Sequence, residues 1–149
     1  MSKNQNWFLR DGIEEDALAI ASEYWRHQAS NYHLEKVKSA LRNYPSKIAE
    51  KEGSLIGFVY CRKFAPDILE IDNLFVNEEF RDRGLGSSLL AELESQAGGN
   101  YSGLILTNSS LYNNPVVDKR DPSSLYGRHG FKLVFSTKNS RVFAKGLDY

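Results

Sequence analysis

The sequence predicts an α/β fold, an α+β mixed sheet of about six or seven strands flanked by about four helices. Three observations predict it. Runs of strand length rich in Ile, Leu, Val and Phe recur along the chain, apolar stripes of helical period separate some of them, and turn residues bound most of them. A chain of 149 residues fits one domain, 1–149, with a full core.

The composition excludes several classes of protein. The 41% hydrophobic and 26% charged residues are typical of a globular protein and not of a disordered or fibrous one. Because 19 basic residues balance 19 acidic ones, no net charge favours nucleic acid or an anionic membrane as a partner. Cys61 is the single cysteine, which excludes an intrachain disulfide and a cysteine-rich metal site.

The first six residues are polar and lack the apolar core of a signal peptide. No apolar run approaches the roughly 20 residues that a membrane helix needs. We therefore expect a cytoplasmic protein without a membrane partner.

Hydrophobic periodicity assigns the elements of the first half of the chain. Strands are predicted at residues 7–10, 47–51, 54–64 and 68–76. Glu52–Gly53 predicts a hairpin between two of them. Helices are predicted at residues 14–26 and from Leu34 to near Pro45, because the residue before a proline avoids the helical region.

The second half begins with a helix that follows residue 84 and ends at Gly98–Gly99. A strand at residues 101–107 is apolar enough for the centre of a sheet. Asp121–Pro122 and Gly130 predict the start and end of a short helix over 122–129. Strands at 131–135 and 141–145 complete the sheet.

The segment Arg81-Asp82-Arg83-Gly84-Leu85-Gly86 lies between a predicted strand and a predicted helix. Gly84 and Gly86 have no Cβ, so a phosphate can approach the backbone closely, and the positive end of the helix dipole favours an anion there. Arg81 and Arg83 add guanidinium groups suited to phosphate. The spacing fits neither a P-loop nor a dinucleotide fingerprint. A tight turn with solvated arginines is the alternative.

Residues 69–93 resemble motif A of the GNAT superfamily of acetyl-CoA-dependent N-acetyltransferases, with Arg81, Gly84 and Gly86 at its signature positions. Residues 125–131 are similar to the family's second hallmark, a helix that carries tyrosine and ends in Gly-Phe. The resemblance implies a mixed, mostly antiparallel sheet that splays open after the strand 68–76. It also implies acetyl-CoA as co-substrate. We expect no metal, because the three histidines lack the spacing of a metal site.

By the same resemblance, two segments hold acetyl-CoA. The backbone of the strand end pairs with pantetheine and polarises the thioester, and the loop amides bind the pyrophosphate. The strand residues are Leu74, Phe75 and Val76, and the loop residues are Arg81, Asp82, Arg83, Gly84, Leu85, Gly86 and Ser87.

Acyl transfer from a thioester to an amine needs a neutral amine, a donor to the oxyanion and a proton for the thiolate. Tyr126 occupies the position of the resembling family's general acid; packing on an amphipathic helix is the alternative. Glu70 and Asp72 share one strand face by the period of two and are the candidate bases, Glu70 at the position of the glutamate of histone-type acetylases. A water chain is the alternative, with both acids solvated or salt-bridged.

The expected acceptor is a primary amine on a small molecule or a protein. The resemblance implies that the acceptor pocket is lined by Tyr24, Trp25 and Tyr32. The alternative is that these three residues pack in the core. Residues 109–121 form an insertion that is either a lid or a surface loop. An acyl-CoA sensor without activity and a toxin-like acetylation of aminoacyl-tRNA fit the same motifs, although the charge balance disfavours the second. A homodimer is compatible with all three functions.

Overall fold

The computed structural model describes residues 6–24, 31–109 and 123–147. Within these ranges seven strands form one sheet, accompanied by four α-helices. The strands are β1 (Phe8–Asp11), β2 (Ser46–Lys51), β3 (Ser54–Ala65), β4 (Ile68–Val76), β5 (Gly103–Ser109), β6 (Lys132–Ser136) and β7 (Ser140–Gly146), and the helices are α1 (Ala17–Tyr24), α2 (Asn31–Asn43), α3 (Leu85–Ala97) and α4 (Ser123–Arg128). The spatial order of the strands is β1-β2-β3-β4-β5-β7-β6. The predicted α/β mixed sheet is confirmed.

The chain divides into two compact units, Met1–Arg62 with Ile71–Ala97 and Lys63–Glu70 with Gly98–Tyr149. That residues 1–149 form one domain stays a prediction. No helix formed by the described residues has the length and apolarity that a membrane span requires.

The first unit packs two helices on its strands. The buried cluster consists of Ala17, Ile20, Val37, Ala40, Leu41, Ile48, Phe58 and Tyr60. Phe58 stacks on Phe75, with ring centroids 5.3 Å apart, which anchors the end of β4 in this core. The turn between β2 and β3 has φ values of 53 at Glu52 and 82 at Gly53, as a type I′ hairpin turn requires. The predicted hairpin is confirmed.

Arg10 holds the first elements of this unit together. Its guanidinium donates to both carboxylate oxygens of Asp16 at 2.8 Å and to Glu50 at 2.8 and 3.2 Å. Asp16 also accepts the backbone N–H of Ile13 at 2.9 Å, which caps a 3₁₀ turn, Glu14–Asp16. The α-helix therefore begins at Ala17, later than the predicted residue 14.

The second unit contains the parallel part of the sheet. Residues 68–70 of β4 run parallel to residues 103–105 of β5, whereas β5 pairs with β7, and β7 with β6, in the antiparallel sense. The parallel ladder ends at Glu70 although β4 continues to Val76, so the sheet is splayed, as the resemblance implies. β5 begins at Gly103, later than the predicted residue 101, because Tyr101 forms an isolated bridge with Gly98 and is not paired with β4.

α4 ends in a Schellman motif. The Phe131 N–H donates to the Tyr126 carbonyl and the Gly130 N–H to the Gly127 carbonyl, each at 3.1 Å. This pattern needs a left-handed residue at the position that follows the cap, and Gly130 supplies it with φ of 85. The predicted end of the helix is confirmed; its predicted start, Asp121–Pro122, lies outside the described residues.

The substitution Asp16→Asn should lower the free energy of unfolding at pH 7 by on the order of 1–2 kcal/mol, because it replaces a charged hydrogen-bonded pair at a partly exposed site. Burial raises the pKa of Asp16, but hydrogen bonds from Arg10 and Ile13 lower it by more, so the net pKa lies below its ordinary value. The stabilisation is therefore present above the unfolded pKa of about 3.9 and is lost as the pH falls through the folded pKa. Urea unfolding between pH 7 and pH 2 measures both effects.

The control for this experiment is Glu14→Gln, which removes an exposed contact with Arg42 and should shift the urea midpoint much less. Equal losses in the two variants would contradict the role of Arg10 and Asp16.

The substitution Gly130→Ala should destabilise the protein by about 1 kcal/mol, because alanine is strained in the left-handed region that Gly130 occupies with φ of 85. Gly127→Ala is the matched control. Apart from its chain neighbours and the backbone of its own helix, no described atom lies within 4 Å of the Cβ position of Gly127. Alanine also favours a helix over glycine by up to about 1 kcal/mol. The two urea midpoints should move in opposite directions, and a shift of the same sign would refute the role of Gly130 in the cap.

Candidate functional site

One hydrogen bond to β3 and two short-range hydrogen bonds build the turn between β4 and α3. The Asn77 N–H donates to the Ile56 carbonyl of β3 at 2.8 Å, and the Asn77 side-chain oxygen accepts the Glu79 N–H at 3.1 Å. A 3₁₀ turn, Glu78–Phe80, follows. Arg81 Nε then donates to the Val76 carbonyl at 2.9 Å, so the first arginine of the predicted loop fastens the loop to the end of β4.

Phe80 forms the buried base of this loop, at 9% exposure. The Trp7 ring packs edge-on against it, with centroids 6.3 Å apart. The guanidinium carbon of Arg83 lies 5.6 Å from the centroid of the Phe80 ring, and Lys51 Nζ lies 5.2 Å from it, both within reach of a cation–π contact. Two cations are therefore held beside the loop by one aromatic ring.

Two loop residues have left-handed backbone, Asp82 with φ of 64 and Gly84 with φ of 86. Apart from the two chain neighbours of Gly84, no described atom lies within 4 Å of the position that a Cβ on this residue would take. The Gly84 carbonyl accepts the Ser88 N–H at 3.0 Å, the first bond of α3. The amides of Leu85 and Gly86 precede this bond and lie at the positive end of the helix dipole.

The three β4 residues predicted to face the cofactor, Leu74, Phe75 and Val76, are half-buried. The Phe75 ring belongs to the core through Phe58, so its backbone is the part that can contact a cofactor. A Cβ on Gly57 of β3 would lie 3.0 Å from the Phe75 carbonyl oxygen. Gly57 therefore permits the close approach of β3 and this part of β4.

The two candidate bases alternate along β4 with the buried Leu69 and Ile71, as the predicted period of two requires. Glu70 and Asp72 are both half-buried. Glu70 is the last β4 residue paired with β5, opposite Ile105. It therefore lies at the end of the parallel ladder.

Tyr126 is buried in the second unit, at 8% exposure. Its ring centroid lies 5.8 Å from that of Phe131 and 5.9 Å from that of Phe143. Burial raises the pKa of Tyr126 to about 12, so the phenol keeps its proton at neutral pH. The contact with Phe131 is also the apolar contact that accompanies a Schellman motif, which gives the tyrosine a structural role in addition to any chemical one.

Tyr126 and Glu70 lie on opposite faces of the second-unit sheet. Tyr126 contacts Phe143, which pairs with Leu106 of β5, whereas Glu70 pairs with Ile105. Neighbouring residues of a strand point to opposite faces. The structure therefore places the candidate acid and this candidate base on the two sides of the sheet.

Several predicted residues lie outside the described part of the chain. Trp25, residues 110–122 and the side chains of Tyr24 and Tyr32 belong to this set, so the acceptor pocket and the role of the 109–121 insertion stay predictions. Asn77 was not among the predicted residues, although an asparagine before two glutamates is a capping signal. Among the described residues no group of three or more His, Cys, Asp or Glu could hold a metal ion.

A family model described as the acetyltransferase (GNAT) domain matches residues 42–133. A comparison with curated proteins returned no match. Many solved structures are similar to this chain, and three illustrate the range.

The PaiA N-acetyltransferase of Thermoplasma acidophilum, in complex with coenzyme A, has a TM-score of 0.70 and 20% identity over 94% of this chain and 98% of that chain. The ribosomal-protein-S18-alanine N-acetyltransferase of Escherichia coli has a TM-score of 0.72 and 17% identity over 96% and 95%. An aminoglycoside 6'-N-acetyltransferase complexed with coenzyme A has a TM-score of 0.73 and 17% identity over 93% and 96%. These likenesses are of fold. Because the family model matches more than half of the sequence, the chain belongs to the GNAT acetyltransferases and is an acetyl-CoA-dependent acyltransferase.

Proposed function

We propose that the chain is an N-acetyltransferase that moves the acetyl group of acetyl-CoA to a primary amine by direct attack. The observation that carries this proposal is the loop between β4 and α3. Gly84 has a left-handed backbone and open surroundings at the N terminus of α3, and the cations of Arg83 and Lys51 lie against Phe80. A pyrophosphate needs this combination of accessible amides and positive charge.

Coenzyme A occupies two segments in this proposal. The amides from Arg81 to Ser87 bind the pyrophosphate, and the β4 backbone at Leu74–Val76 pairs with pantetheine and polarises the thioester carbonyl. The half-buried strand end and its anchoring through Phe75 support the second part, because a donor fixed in place costs little reorganisation when charge develops on the oxygen. A cytoplasmic location, where the buried Cys61 stays reduced, completes the proposal.

Tyr126 stabilises the departing sulfur. Its phenol, with a pKa raised to about 12, is a hydrogen-bond donor at every physiological pH. Complete transfer of its proton to the thiolate of a thiol with a pKa of about 8.5 is uphill by about 5 kcal/mol. We therefore assign to Tyr126 a hydrogen bond to the sulfur, while the proton that the thiolate finally takes comes from the attacking amine.

Glu70, Asp72 or a water held by them removes one proton from the ammonium form and so gives the neutral amine that attacks. The second proton leaves the nitrogen after the attack and is the one that the thiolate takes. Glu70 lies at the end of the parallel ladder and on the face opposite Tyr126. The acceptor is a small-molecule or a protein amine.

The substitution Gly84→Val should raise the Kd of CoA at least about tenfold, because a branched Cβ intrudes where the pyrophosphate approaches and strains the left-handed backbone. Gly53→Val is the matched control, since Gly53 has φ of 82 and also no described atom within 4 Å of its Cβ position. Both variants should lose similar stability, and titration calorimetry should show weaker CoA binding in the first alone. An unchanged Kd of CoA in Gly84→Val would contradict the assignment of the loop as the pyrophosphate site.

The substitution Tyr126→Phe should lower kcat by about 100-fold, because it removes a hydrogen-bond donor to developing negative charge. The KM for acetyl-CoA and the urea midpoint should stay almost unchanged, because the ring contacts with Phe131 and Phe143 are kept. Since the pKa of Tyr126 is raised to about 12, deprotonation of this phenol should produce no loss of wild-type activity below about pH 10. Steady-state rates from pH 6 to pH 10 measure both. Equal kcat of the wild type and of Tyr126→Phe across this pH range would show that Tyr126 has no catalytic role. Tight binding of CoA by the wild type without turnover of any amine would favour the alternative function, an acyl-CoA sensor without activity.

A further inference from the structure

The second-unit sheet has two faces of different character. α4 packs through Tyr126 on the face of Phe143, where Leu104, Leu106 and Phe143 are buried. Strand register defines the opposite face, which we call the Glu70 face. Its members are Glu70, Ile105, Thr107, Lys132, Phe135, Val142 and Ala144.

Because of a bulge in β6, the Phe135 side chain lies on the Glu70 face. Leu133 pairs with Phe143 and Phe135 with Val142, so Val134 is an extra residue between the two pairs. Without it Val134 would pair with Val142, and Phe135 would point to the face of Phe143. Bulges re-aim side chains in this way and are frequent beside active sites.

The Glu70 face has an acid at one end and an exposed aromatic ring at the other. Glu70, Ile105, Ala144 and Lys132 form one row across β4, β5, β7 and β6. Half-buried Ile105, Ala144 and Val142 make an apolar floor that leads to Phe135, which is 56% exposed. Three strand spacings, about 14 Å, separate β4 from β6.

We propose that the Glu70 face binds an extended acceptor, a primary amine whose apolar chain or aromatic group lies distant from the amine and contacts Phe135. The carboxylate of Glu70 complements the ammonium form of the amine, and the apolar floor complements the chain. Lys132, on the same face beside Phe135, disfavours a second positive charge at the far end. This inference rests on the proposed function and names the class of its acceptor.

Three primary amines test the inference: propylamine, octylamine and 1,8-diaminooctane. Octylamine should have the highest kcat/KM, because each methylene that reaches the apolar floor is worth about fourfold. Propylamine is too short to reach Phe135. The diamine matches octylamine in length and should be at least about tenfold poorer, because its second ammonium would lie near Lys132.

The matched variants are Phe135→Ala and Leu133→Ala, two exposed residues of one strand on opposite faces, with Leu133 52% exposed. The ratio of kcat/KM for octylamine to that for propylamine should fall about tenfold in Phe135→Ala and stay within twofold in Leu133→Ala. Phe135→Leu, which keeps an apolar side chain at this position, should restore most of the wild-type ratio. Equal ratios in wild type and Phe135→Ala, or equal losses in the two alanine variants, would overturn the inference.

Calorimetric binding of octylamine separates this inference from the proposed function. Binding that weakens in Phe135→Ala but not in Leu133→Ala supports the Glu70 face even if no amine is acetylated, in which case the proposed function fails. If all three amines are acetylated and kcat/KM is the same in wild type and Phe135→Ala, the proposed function is supported and the inference is overturned. Glu70→Gln removes both the base and the charge that complements the ammonium group, so it should lower kcat/KM for propylamine and octylamine by similar factors and leave their ratio almost unchanged.

Discussion

The parallel pairing of β4 with β5 is the constraint on which the site depends. Two neighbouring parallel strands need a crossover connection between them, and here that connection carries the glycine loop and α3. The crossover must start where β4 ends, so the loop amides lie at the carboxyl end of a strand, the usual position of ligands in α/β sheets. The turn from β4 into the helix takes only a few residues, and it is stabilised by the contacts of Asn77, Phe80 and Arg81.

Much of this arrangement could be predicted from the sequence because it depends on local backbone chemistry. Glycine at positions 53 and 130 marks residues with positive φ, and such positions limit where a hairpin or a helix can end. The helix after Gly84 is equally local, since an apolar stripe at helical spacing is enough to indicate it.

Other features could not be predicted because they depend on contacts between distant segments. Phe80 brings together Trp7, Lys51 and Arg83, and no local pattern links these residues. The bulge at Val134 exists only relative to the register of β7, so β6 alone gives no sign of it. The hydrogen bond from Arg81 to Val76 is local, but the residue type of an arginine in the motif does not reveal that it has this structural use.

Tyr126 shows why a motif and a role must be separated. Its contact with Phe131 closes the helix cap and its burial protects the phenol proton, so packing and chemistry favour the same residue. A relative that had lost catalysis would still need an aromatic ring here to stabilise the cap. Under the proposed function the hydroxyl group, and not the ring, is therefore the part of the motif that bears on chemistry.

The bulge in β6 has a consequence for how such a protein can change. Because Val134 and Phe135 together oppose a single residue of β7, the strand carries one residue more than its pairing requires. Loss of one codon at either position would leave the ladder intact, and the choice of codon would decide whether valine or phenylalanine faces Glu70. A single deletion in β6 could thus change the size of the side chain on the Glu70 face, while the glycine loop, in another part of the sequence, kept its structure.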